Sequence, residues 1–131
     1  MATFNPTASH PLRASQAWQI LVGAAMNRQT LTYLGLSEKM YQKPAQGVLD
    51  KILGHIAFYC KDNELPALTS LVVGKGRGTP GQDIPVDLSE IDAIRESVYG
   101  EDWYNIVPPT PEQLKESYDR HMNALKDKST T

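Results

Sequence analysis

Apolar residues recur at spacings of three and four through Trp18, Leu21, Val22 and Ala25. This pattern predicts an amphipathic helix, capped by Ser15 and closing near Asn27. "QTLTY" then reads as a short extended segment and "YLGLSEKM" as a second, brief helix. It is read as a helix despite Gly35, which costs about 1 kcal/mol relative to Ala inside a helix. The best-defined stretch is "PAQGVLDKILGHIAFYCKDN". Pro44 suits the first turn of a helix, and Val48, Leu49, Ile52, Leu53, Ile56 and Tyr59 form one apolar face. Gln46, Asp50, Lys51, His55 and Lys61 fall on the other side, which this pattern assigns to solvent. The β-branched run "LTSLVV" predicts a strand, and "GKGRGTPG" a glycine-rich turn of a hairpin or extended wing.

Helix, short strand, helix, helix, strand and basic glycine-rich loop, in that order, predict an α+β fold with a winged helix-turn-helix core. The expected organisation is a flexible arm over residues 1–13, a winged-helix domain over 14–82, and a C-terminal helical extension over 83–131 packed on that core. In the extension, "VDLSEIDAIRESVYG" carries capping signals at Asp87 or Ser89 and reads as a short acidic helix with Leu88, Ile91 and Ile94 inward. "WYNIVPPTP" is an extended crossing, and Thr110 with Pro111 opens a last helix.

Charge changes the picture more than composition does. The 131 residues sum to −2, but residues 1–82 hold 8 Lys and Arg against 4 Asp and Glu, while residues 83–103 hold 1 against 7. A mildly basic part is followed by an acidic strip, which leaves room for a nucleic-acid surface only if the two face apart. The single cysteine, Cys60, excludes an intrachain disulfide and suits a reducing cytoplasm. "AWQILVGAAM" is far shorter than the roughly 20 residues a membrane-spanning helix needs.

Thr32-Tyr33 with Leu36 and Ser37, then "QGVLDKIL" from Gln46, then "LTSLVV" from Leu68, resemble the DNA-binding domain of the alkylguanine-DNA alkyltransferases and the alkyltransferase-like proteins over residues 15–81. The resemblance implies a winged helix with Tyr33 beside the DNA backbone. It does not imply the transferase reaction. The family's alkyl-accepting cysteine falls near Thr69 and the following His-Arg pair on Ser70 and Leu71, so no activated thiolate forms there. Gln46 stands where the family has the arginine that holds the duplex open after base flipping.

The leading expectation is therefore a non-enzymatic nucleic-acid-binding or adaptor module. In it, Tyr33, Lys43, Gln46, Lys51, His55, Lys75 and Arg77 contact DNA, chiefly its backbone. The alternative is a protein–protein interaction module or inhibitor, of the kind phages and mobile elements encode. It docks a basic partner through the 83–103 segment, with Glu90, Glu96, Glu101 and Asp102 steering and Trp103 and Tyr104 anchoring. Neither reading calls for a cofactor. His10, His55 and His121 show no metal-ligand spacing, and "GKGRGTPG" lacks the Gly-Lys-Ser/Thr ending of a phosphate loop. An enzyme is a distant third expectation, drawing on Tyr33, His55 and Thr69 alone.

Overall fold

The computed structural model of the chain describes residues 10–42, 46–74 and 91–129. Among these residues five helices carry the fold: α1 (His10–Met26), α2 (Tyr33–Tyr41), α3 (Gln46–Asp62), α4 (Ile91–Gly100) and α5 (Pro111–Ser129). The strands β1 (Leu31–Thr32) and β2 (Val72–Val73) form a single parallel ladder, pairing Leu31 with Val72 and Thr32 with Val73. The α+β winged-helix expectation is thus corrected. Most of "LTSLVV" is a 3₁₀ turn, Leu68–Leu71, and the two residues left to pair do so in parallel, not as an antiparallel hairpin. The described residues contain no winged-helix sheet, and the glycine-rich loop lies outside them.

The local chemistry explains where the helices begin and end. α1 starts at His10, ahead of Ser15, which is no cap but donates its hydroxyl back to the Leu12 carbonyl at 2.6 Å within the helix. It closes on Arg28 in the left-handed region (φ 54°), with the Gln29 N–H reaching the Ala24 carbonyl at 2.9 Å, a Schellman ending without glycine. Thr32 caps α2, its hydroxyl oxygen accepting from the Gly35 N–H at 2.9 Å. A Cβ at Gly35 would sit 3.0 Å from that oxygen, so the glycine that looks like a weak helix residue makes room for the cap. Thr110 and Gln113 form a reciprocal capping box at the start of α5, with Pro111 at its first position.

α1 is the central element, touching α2, α3, α4, α5 and the 3₁₀ turns Leu68–Leu71 and Trp103–Asn105. Ala14, Ala17, Ala24 and Ala25 let its neighbours approach closely, and Trp18 meets Tyr59 and Trp103 edge to face at 5.7 and 5.6 Å. α3 is covered by α1 on one side and α5 on the other. Leu49, Ile52, Leu53 and Ile56 are fully buried as their spacing predicts, but so is His55 on the side assigned to solvent. None of the helices is long and apolar enough to cross a membrane among the described residues.

Candidate functional site

The polar groups buried between α3 and α5 form a fastening. His55 is 3% exposed, stacks on Tyr118 at 4.0 Å, and donates from Nδ1 to the Lys51 carbonyl at 2.7 Å. Burial lowers its pKa from the ordinary 6.5, opposed by that hydrogen bond. Further along, Phe58 stacks on His121 at 4.3 Å, and Asp62 receives His121 Nε2 at 2.8 Å and Arg120 at 3.0 Å. Burial pushes the Asp62 carboxyl up. Hydrogen bonds from His121 and Ser117, and the charge of Arg120, outweigh it and leave the pKa below the usual value. Here one carboxylate accepts from both a serine and a histidine. Ser117, Arg120 and His121 all lie on α5, so their contacts with Asp62 tie α5 to α3.

Thr69, near which the alkyltransferase resemblance would put the reactive cysteine, is wholly buried in the 3₁₀ turn. Cys60 is also buried, and desolvation pushes its thiol up to about 12, so it stays protonated and unreactive at neutral pH. Among the described residues no group of three His, Cys, Asp or Glu could hold a metal ion.

The other candidate is an open groove of about 380 Å³ between α1 and the 103–108 crossing. Trp18 and Trp103 form its aromatic floor, each 2% exposed, and the Trp103 indole N–H is committed to the Val98 carbonyl at 2.7 Å. Tyr104 projects beside it, 71% exposed, and Val107 is 83% exposed. Exposed Asp102 and half-buried Glu101 directly precede the turn that carries these aromatics.

Of the residues expected to meet DNA, three have described side chains, and of these only Lys51 is at the surface. Tyr33, at 4% exposure, and His55 are core side chains, and Lys51 is exposed. Lys43, Lys75, Arg77 and the Gln46 side chain lie outside the described residues. Within the acidic segment, Glu90 lies outside them too, and Glu96 is neutralised by Arg28 at 2.7 Å. Trp103 is a core residue that floors the groove, while Tyr104, its neighbour in sequence, is at the surface. The α1 contribution, chiefly Gln19 and Val22, carries no signal in the sequence, because only the folding of residues 103–108 across that helix makes it a wall. Compared with protein-family models, curated proteins and solved structures, the chain has no match.

Proposed function

We infer that the protein is a non-enzymatic protein–protein interaction module, engaging a basic partner through the corner formed by the end of α4 and the Trp103–Asn105 turn. The observation that carries this reading is the exposure of Tyr104 and Val107 around a buried tryptophan, directly after two carboxylates. An exposed aromatic beside a packed apolar floor is the usual build of an interface anchor, and nearby charge sets the rate and choice of partner. With Glu96 paired to Arg28, steering falls to Glu101 and Asp102. A DNA-binding role draws on Lys51 alone among the exposed, described side chains proposed for it. The test is capture of a partner with nuclease-treated lysate, followed by surface plasmon resonance. Glu101→Gln/Asp102→Asn should slow association several-fold at low salt and leave it unchanged at high salt, where the Debye length falls to about 3 Å at 1 M. An association rate untouched by the double change at low salt rules this corner out.

A further inference from the structure

We propose that the groove between α1 and the 103–108 crossing takes an extended, cationic, proline-containing segment of the partner, an assignment that rests on the interaction reading above and names the partner's chemistry. The floor is aromatic carbon. Trp18 and Trp103 meet edge to face at 5.6 Å, and the Trp103 N–H is held by the Val98 carbonyl, which fixes that ring in the floor. Val22, Ile106 and Pro108 add apolar walls. Exposed Gln19 and Tyr104 place an amide and a phenol at the rim. Such a rim suits a backbone whose N–H and C=O groups are still open, as in polyproline II. A helix has already satisfied its own.

Charge selects the sign of the flanks. Among the described residues no basic side chain lines the groove, and Glu101 and Asp102 stand at the start of the turn that builds it. Arginine or lysine beside the apolar anchor is therefore favoured and an acidic flank is repelled.

Trp18 and Trp103 are the chain's two tryptophans, so intrinsic fluorescence reports occupancy of this groove. The probes are a synthetic proline-leucine peptide flanked by arginines, the same peptide flanked by glutamates, and an arginine-bearing amphipathic helical peptide. The expected result is a saturable emission shift with the first, at least about tenfold weaker with the others, and weakened about tenfold by Tyr104→Ala. Tyr104 is a surface residue, so that variant should fold. Glu101→Gln/Asp102→Asn should weaken binding several-fold at low salt only. No saturable shift, equal binding of the acidic or helical peptide, or indifference to Tyr104→Ala overturns the assignment. So does concentration-dependent dimerisation abolished by Tyr104→Ala, which would give the groove to a second copy. If the peptide fails while the captured partner still associates more slowly with the charge variant, the interaction reading stands and the groove assignment falls. If the partner is indifferent as well, both fall.

Discussion

At the scale of the residue, His55 shows how a correct pattern gives a wrong surface. Its place opposite the apolar stripe of α3 is what the spacing predicts, but a stripe records only one covered face, and α5 covers the other. A buried neutral imidazole has a folded pKa below its unfolded one, so between the two the unfolded chain binds more protons. Stability contributed by His55 is therefore complete above the ordinary 6.5 and declines as pH falls below it, by at most about 1.4 kcal/mol per pH unit. His55→Phe keeps a ring against Tyr118 and removes the titration, so its melting temperature should depend less on pH between 7 and 5 than the wild type's. Parallel curves would contradict this account. Thr32→Ala should cost about 1 kcal/mol in urea unfolding through the lost cap. Gly35→Ala should fail to gain the usual helix-propensity benefit, because its Cβ presses on the Thr32 hydroxyl.

At the scale of the element, the start of α5 and the extended segment holding β1 were legible, whereas the start of α1 and the extent of β2 were not. Thr110 and Pro111 identify the start of α5 because capping chemistry is local, but Ser15, the expected cap of α1, lies inside that helix. "LTSLVV" carries no comparable signal. A six-residue apolar run with β-branched members fits a strand, a buried turn or a helix end, and the choice falls to the tertiary partners it meets. Here Leu68–Leu71 curls against α1 and α3, and only Val72–Val73 finds a strand to pair with. The clamp between α3 and α5 was equally hidden, since Asp62 and His121 are 59 residues apart. Asp62 has a depressed folded pKa, so what it contributes is present above its unfolded value near 3.8 and is lost as pH falls through the folded value. Asp62→Asn should thus be less stable than wild type at pH 7, with the gap closing towards pH 3 in thermal melts. A constant gap would mean the ionised pair is not its source. Leu114→Ala, at a fully buried position on α5, should cost about 2–5 kcal/mol.

At the scale of the whole molecule, the division of the sequence into a basic first part and an acidic strip was visible, but which charges remain free was not. Arg28 crosses from the end of α1 to Glu96 on α4, 68 residues away, and stacks over Tyr99, so part of each sign cancels at the seam. Trp103 and Tyr104 read as a unit in the sequence, yet a 3₁₀ turn sends one into the core and leaves the other at the surface. Deleting residues 110–131 should leave apolar surface on α1 and α3 uncovered, giving a chain that binds ANS and loses near-UV circular dichroism while retaining helical far-UV signal. A cooperative, ANS-silent fragment would show that α5 is dispensable to the core. The central position of α1 has a further consequence for biosynthesis. Among the described elements, this helix precedes every one it packs against, and α5, one of its main partners, follows the rest. Domains fold as units during synthesis at about 5–20 residues per second. Trp18, Leu21 and Val22 therefore wait several seconds on the ribosome for the last of their cover, and over that interval this nascent chain is most exposed to chaperones and to aggregation.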